Sequence, residues 1–121
     1  MILVDTSIWI DFLRGSGPLQ GMLNRNEVYT HPFIIGELAC GNLPDRKNTI
    51  QLLQELPAVQ TAQEKEVLFF IEKHSLMARG IGHVDVHLLA ATALNACKIL
   101  TRDKRLHVVA DELALAYYHA H

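Results

Sequence analysis

Cysteine is scarce in this sequence of 121 residues, which argues against a disulfide-stabilised fold. The two cysteines, Cys40 and Cys97, lie in apolar segments of helical pattern and have no spacing typical of a metal site. We therefore expect two buried thiols. Reduced thiols, together with the absence of a signal-peptide pattern at the start of the sequence, predict a cytoplasmic protein.

The sequence also has no excess of positive charge and no long apolar run. Eleven Lys and Arg against thirteen Asp and Glu give a formal net charge of −2, which is not that of a basic nucleic-acid-binding domain. The longest window without charge, residues 86–97, is too short to span a bilayer. Aromatic residues make up 7% of the chain, and no RNA-reading module with stacked aromatic side chains is visible. We expect no membrane association.

What the sequence does contain is an apolar opening run that ends on an acid. Half of the residues are hydrophobic, and the length fits one compact domain over residues 1–121. Residues 1–4 are apolar without alternation, which is typical of a strand buried on both faces of a parallel sheet. Ligands bind at the carboxyl ends of such strands, so Asp5 is a candidate functional residue. Capping of the following helix is the simpler alternative.

The rest of the pattern alternates short strands with helices. It predicts strand 1–4, helices 6–14 and 18–24, strand 27–30, helices 32–41 and 45–55, strand 58–61, helices 63–73 and 85–97, strand 98–101, helix 104–114 and an edge strand at 116–118. The tail, 119–121, is expected to fray. Such alternation predicts an α/β fold with helices on both faces of a mainly parallel sheet of four to five strands.

Three further acids occupy positions that fit either a structural role or a place in a functional site. Asp103 follows the strand at 98–101, Asp85 begins a helix rich in small residues, and Glu37 is the only charge in its helix. Helix capping is the alternative for Asp85, and an exposed stripe is the alternative for Glu37. All three can nevertheless be placed with Asp5 on one edge of the sheet, where four like charges would repel one another unless divalent cations neutralise them.

This set of acids predicts a metal-dependent hydrolase. Carboxylate ligands without a Cys/His set favour Mg²⁺ or Mn²⁺ over zinc. Such ions lower the pKa of a bound water and stabilise charge on a phosphodiester. We therefore predict metal-assisted phosphodiester hydrolysis, with these catalytic residues and metal ligands: Asp5, Glu37, Asp85 and Asp103.

A second pattern, His83-Val84-Asp85-Val86-His87, looks like a metal motif. On a helix His83 and His87 share a face, but Asp85 lies about 200° around from either. Because the following residues predict a helix, we do not expect these three residues to bind zinc together.

Four blocks of sequence, in order, resemble the PIN-domain ribonucleases, and specifically the VapC-type toxins of bacterial toxin–antitoxin pairs. The blocks are Ile2-Leu3-Val4-Asp5-Thr6-Ser7-Ile8-Trp9-Ile10-Asp11, Gly36-Glu37-Leu38, Gly80-Ile81-Gly82-x-Val84-Asp85-x-His87-Leu88-Leu89-Ala90-Ala91 and Leu100-Thr101-Arg102-Asp103-Lys104-Arg105-Leu106. The resemblance runs nearly end to end, and nothing departs from the four-acid pattern of the family.

The resemblance implies a three-layer α/β/α sandwich with an acidic Mg²⁺ or Mn²⁺ site that cleaves RNA endonucleolytically, with tRNA or rRNA as the expected substrate. It also implies a homodimer and a cognate antitoxin protein that covers or invades the site in a hetero-oligomer. Residue by residue, it carries the metal site onto Asp5, Glu37, Asp85 and Asp103, with supporting hydroxyls at Thr6 and Thr101.

Basic residues near these blocks are expected to rim the site and to contact RNA phosphates. They are Arg14, Arg102, Lys104 and Arg105. A solvated basic patch is the alternative for this set. Asp11 is expected to be a solvated acid, paired weakly with Arg14.

Three other functions fit less well. A phosphatase of the haloacid-dehalogenase type needs a second Asp two residues after the strand-end Asp, where this chain has Ser7. A response-regulator receiver domain needs an Asp after its third strand, where this chain has Thr61-Ala62-Gln63. The remaining alternative is a catalytically weak PIN-like domain that acts mainly as a partner-binding module.

Overall fold

The computed structural model describes residues 1–119, so Ala120 and His121 of the tail predicted to fray lie outside the described residues. The described part contains three strands and seven helices. They are β1 (Ile2–Val4), α1 (Thr6–Leu13), α2 (Leu19–Asn24), β2 (Val28–Tyr29), α3 (Pro32–Ala39), α4 (Arg46–Glu55), α5 (Glu64–His74), α6 (His83–Leu94), β3 (Lys98–Leu100) and α7 (Lys104–Glu112).

The sheet is parallel, and β1 lies at its centre in the order β2-β1-β3. Leu3 is paired with Tyr29 on one side and with Ile99 on the other. Successive strand residues point to opposite faces, and all three residues of β1 are buried. Both faces of the sheet are therefore covered, which confirms the α/β fold predicted from the opening apolar run.

The predicted number of four to five strands is wrong. Residues 58–61 and 116–118 each contribute a single bridge, Ala58 with Thr30 and Ala116 with Ile99. Next to Ala58 stands Pro57, which has no N–H and cannot extend the hydrogen-bond ladder. At the other edge, the backbone of Ile99 bonds with that of Leu115 and of Tyr117, at 2.8 and 2.9 Å. Both outer segments run alongside the sheet too briefly to form strands.

Helix α6 packs most deeply, because every residue from Val86 to Thr92 is buried. Cys97 is buried as predicted, but Cys40 is exposed. The apolar stripe of α3 consists of Ile34 and Leu38, four residues apart, and Cys40 follows about 200° around the helix from Leu38. No helix within residues 1–119 is long and apolar enough to cross a membrane.

Candidate functional site

Asp5 lies at the carboxyl end of the central strand, where it is only 8% exposed. It is the N-cap residue of α1, yet among the described residues its side chain accepts no capping hydrogen bond. Its Oδ2 instead accepts hydrogen bonds from Thr101 Oγ1 at 2.7 Å and from Ser7 Oγ at 3.4 Å. The carboxylate is thus oriented by hydroxyl groups rather than used to cap the helix.

Asp103 follows the neighbouring strand and is the N-cap residue of α7. Its Oδ1 accepts a hydrogen bond from the N–H of Leu106 at 3.0 Å, so this acid does cap its helix. Its own N–H donates to Thr101 Oγ1 at 3.1 Å. Since the Thr101 hydroxyl also donates to Asp5, one side chain connects both acids across the pair of strands.

Glu37 and Asp85 come from helices. Glu37 is exposed on α3, and its Oε2 accepts a hydrogen bond from Thr6 Oγ1 at 3.1 Å. Asp85 is half-buried in the first turn of α6, and its Oδ2 accepts a hydrogen bond from the N–H of Gly82 at 3.3 Å. The purely structural explanations given for these two residues are therefore correct in part, since Asp85 caps α6 and Glu37 is exposed.

Asp5, Glu37 and Asp103 are close enough to Asp85 to affect its ionisation. Burial is the main cause that raises the pKa of the Asp85 carboxyl, and the hydrogen bond from Gly82 acts against it. The negative charges of Asp5, Asp103 and Glu37 each raise this pKa further. We call these four residues the carboxylate cluster. The atoms that these side chains offer to a metal are all oxygens, and such a ligand set suits a hard cation such as Mg²⁺ or Mn²⁺.

Ser7 is a site residue that the sequence did not single out. Its Oγ donates to Asp5, lies 3.5 Å from Thr101 Oγ1, and accepts the N–H of Arg102 at 3.0 Å. It therefore holds the β3–α7 connection against the first turn of α1. A hydroxyl two residues after a strand-end acid was the only available signal.

The four basic residues predicted to rim the site are placed differently from one another. Arg14 lines a groove together with Thr6 and Glu37. Lys104 and Arg105, both on α7, line a separate cleft together with Arg79.

Arg102 is the ion-pair partner of Asp11, with Nε and Oδ2 3.2 Å apart. The prediction of a solvated Asp11 paired with Arg14 is wrong, because the Asp11 side chain is only 19% exposed and faces the β3–α7 connection.

A second group of metal-binding residue types involves the same helix, α6. Glu64, at the start of α5, meets His83 and His87, and one ligand atom from each of the three lies within 4.8 Å of the others. We call these residues the imidazole cluster. As predicted, Asp85 does not join the two histidines. The sequence did not single out Glu64, since no spacing links it to a histidine 19 residues later.

His31 lies next to this group and is neutral. Burial, and then the electrostatic interaction with His87, lower its pKa from 6.5 to about 4. Its Nδ1 accepts the N–H of Phe33 at 3.0 Å, which caps α3. Its Nε2 has no hydrogen-bond partner in the described part of the chain. The Phe33 ring lies between His31 and His87, at centroid distances of 5.1 and 4.9 Å.

Comparison with known proteins adds independent information. The model of the PIN domain family matches residues 2–112. Ribonuclease VapC32 of Mycobacterium tuberculosis (strain CDC 1551 / Oshkosh) is 39% identical over 118 residues, covering 96% of this chain and 95% of the relative. The protein of the same name from strain ATCC 25618 / H37Rv gives the same values.

Solved structures show the same fold at lower identity. FitAcB from Neisseria gonorrhoeae superposes with a TM-score of 0.67 at 18% identity, covering 98% of this chain and 97% of the other. FitAB bound to an IR36 DNA fragment gives a TM-score of 0.63 at 16% identity, with both chains fully covered. The family model, the relative and the shared fold lead to one conclusion: this chain belongs to the PIN-domain family.

Proposed function

We propose that this chain is a Mg²⁺- or Mn²⁺-dependent endoribonuclease and the toxin of a toxin–antitoxin pair. The observation that carries the proposal is the carboxylate cluster, in which three acids raise the pKa of Asp85. The 39% identity to Ribonuclease VapC32 over nearly the whole chain supports RNA as the substrate.

We assign the cation to the four side chains of the carboxylate cluster. A bound Mg²⁺ or Mn²⁺ would neutralise these acids, lower the pKa of a water and stabilise negative charge on the phosphodiester. Each ligand is oriented by at least one hydrogen bond, from Thr101 and Ser7 to Asp5, Thr6 to Glu37, Gly82 to Asp85 and Leu106 to Asp103. Such outer hydrogen bonds fix ligand geometry and tune metal affinity.

Arg14 is the basic residue best placed to hold the RNA backbone. It is exposed and shares a groove with Glu37 and Thr6. Arg102 already pairs with Asp11. A guanidinium next to the acids would bind phosphate and set the position of the scissile bond without reading the base.

The partner that we propose is a cognate antitoxin protein, as the resemblance to VapC-type toxins implies. Large exposed apolar side chains support a protein partner, including Phe69 at 66% and Leu94 at 45% exposure, which line one cleft between α5 and α6. We further propose a homodimer of one domain over residues 1–121, acting in the cytoplasm on tRNA or rRNA.

The test is RNA cleavage by the purified chain, with and without Mg²⁺ or Mn²⁺. Asp5→Asn removes one charge from the cluster with little change of shape, and Glu72→Gln removes one charge from an exposed position on α5. We expect metal-dependent fragments from the wild type and from Glu72→Gln, and none from Asp5→Asn. Cleavage by Asp5→Asn at the wild-type rate would overturn the assignment. Tight binding of an antitoxin without cleavage of any RNA would favour the partner-binding alternative.

A further inference from the structure

The imidazole cluster has no part in the proposed ribonuclease chemistry. Glu64 Oε1 lies 2.6 Å from His83 Nε2, and its Oε2 lies 3.2 Å from His87 Nε2. The hydrogen bond with His83 is the main cause that lowers the pKa of the Glu64 carboxyl. An ionised carboxylate only accepts hydrogen bonds, so both imidazoles donate to it from Nε2.

The three side chains combine a fixed ligand with two adjustable ones. The His87 side chain is 6% exposed, and its ring packs against Phe33 at a centroid distance of 4.9 Å and an interplanar angle of 70°. The side chains of His83 and Glu64 are 57% and 60% exposed, so an ion can reach them from solvent. His83 and His87 are four residues apart on α6 and share one face of the helix.

We propose that Glu64, His83 and His87 form a second metal site that binds a divalent transition-metal ion, with zinc as the preferred ion. Two imidazoles and one carboxylate, with water in the fourth position, are an established tetrahedral zinc ligand set. Zinc–ligand bonds of about 2.0–2.1 Å require ligand atoms about 3.3–3.5 Å apart. The three atoms already lie within 4.8 Å of one another, and small rotations of the exposed Glu64 and His83 complete the geometry.

Binding replaces the present hydrogen bonds and shifts each imidazole to its other tautomer, since Nε2 gives its proton to solvent and Nδ1 takes one up. The ion takes the position of the proton on each Nε2, and each neutral imidazole then carries its proton on Nδ1. Because imidazole ligands suit zinc and all-oxygen ligands suit Mg²⁺ and Mn²⁺, the two clusters select different ions. The ion would add a link between the start of α5 and the first two turns of α6, two helices that also pack against each other.

The test is a zinc titration of the full chain without a polyhistidine tag, in excess Mg²⁺ to occupy the carboxylate cluster, against a chromogenic zinc chelator. Glu64→Gln and His83→Gln each remove one ligand at an exposed position, and His74→Gln is the matched control on α5. We expect one equivalent of zinc in the wild type and in His74→Gln, and affinity lowered by about tenfold or more in the two ligand variants.

A second readout reports the ligand type. Co²⁺ in a tetrahedral imidazole site absorbs strongly in the visible range, whereas Co²⁺ in an octahedral oxygen site absorbs weakly. We expect strong absorption that disappears in His83→Gln and persists in Asp5→Asn. Equal zinc affinity in wild type, Glu64→Gln and His83→Gln would overturn the proposal. Loss of zinc in Asp5→Asn alone would also overturn it, since the ion would then occupy the carboxylate cluster.

Discussion

Helix α6 takes part in two clusters that differ in chemistry and in origin. Asp85 faces carboxylates that follow β1 and β3 or lie on α3, whereas His83 and His87 meet a carboxylate that begins α5. The carboxylate cluster brings like charges close to Asp85, whereas the imidazole cluster joins one carboxylate to two imidazoles by hydrogen bonds. One helix can therefore serve two sites, because residues two positions apart lie on different faces.

Asp85 in the carboxylate cluster and His31 beside the imidazole cluster respond to acid in opposite directions. Asp85 has a raised pKa, so protonation relieves an unfavourable charge in the folded state. His31, beside the imidazole cluster, has a lowered pKa, so protonation adds an unfavourable charge there. Acidification is thus expected to favour folding through the first residue and to oppose it through the second.

The largest effect should follow from loss of a carboxylate ligand. We predict that Asp85→Asn lowers metal-dependent RNA cleavage by more than about 100-fold, because even changes behind a ligand cost about 10- to 100-fold. The measurement is the initial cleavage rate at saturating Mn²⁺. The matched control is Asp111→Asn, an exposed acid on α7 that bonds with Tyr118. Similar rates for both variants would remove the distinction between cluster acids and surface acids.

The next effect is the response of His31 to pH. Its contribution to stability is complete above pH 6.5 and is lost as the pH falls towards 4. A shift of this size corresponds to about 3 kcal/mol. We predict that urea unfolding from pH 7 to pH 4 shows a smaller loss of stability in His31→Asn, whose side chain can still cap α3. Identical pH profiles would show that the buried imidazole is not the sensitive group.

Thr101 tests whether the orientation of the acids matters. Thr101→Val removes the hydroxyl that connects Asp5 with Asp103 while keeping the volume. We predict that cleavage falls by about 10- to 100-fold and that more Mn²⁺ is needed for half-maximal activity. Thr101→Ser should restore both values. A slower enzyme with an unchanged Mn²⁺ requirement would mean that Thr101 does not position a ligand.

The smallest effect concerns stability without metal. We predict that Asp85→Asn raises the melting temperature in EDTA at neutral pH by a few degrees, since 1 kcal/mol corresponds to about 2–8 °C at this size. The gain should vanish as the pH falls through the raised pKa of Asp85. Glu37→Gln should gain less, because Glu37 is exposed. Lower melting temperatures for both variants would make these acids structural.

Whether a feature of the fold or of the site could be predicted from the sequence depends on the interactions that form it. The apolar run before Asp5 indicated a buried parallel strand, and such strands bring their carboxyl ends to one edge. Asp5 and Asp103 could therefore be expected together. The number of strands could not, because a single bridge at Ala58 or Ala116 depends on how the chain approaches the sheet edge.

The imidazole cluster shows where sequence reasoning stops. The helical spacing of His83 and His87 was visible, and so was the exclusion of Asp85. Glu64 was not, because its contact with both histidines depends on how α5 and α6 pack against each other. The same holds for the Asp11–Arg102 pair, which requires the β3–α7 connection to lie against α1.

The most direct test of the carboxylate cluster is a Mn²⁺ binding experiment without RNA, in which electron paramagnetic resonance measures the concentration of free ion. The account predicts that the wild type and Glu64→Gln bind Mn²⁺ alike, and that the double variant Asp5→Asn/Asp85→Asn leaves the ion free. Wild-type binding by the double variant, or loss of binding in Glu64→Gln, would contradict the assignment of the metal to these acids.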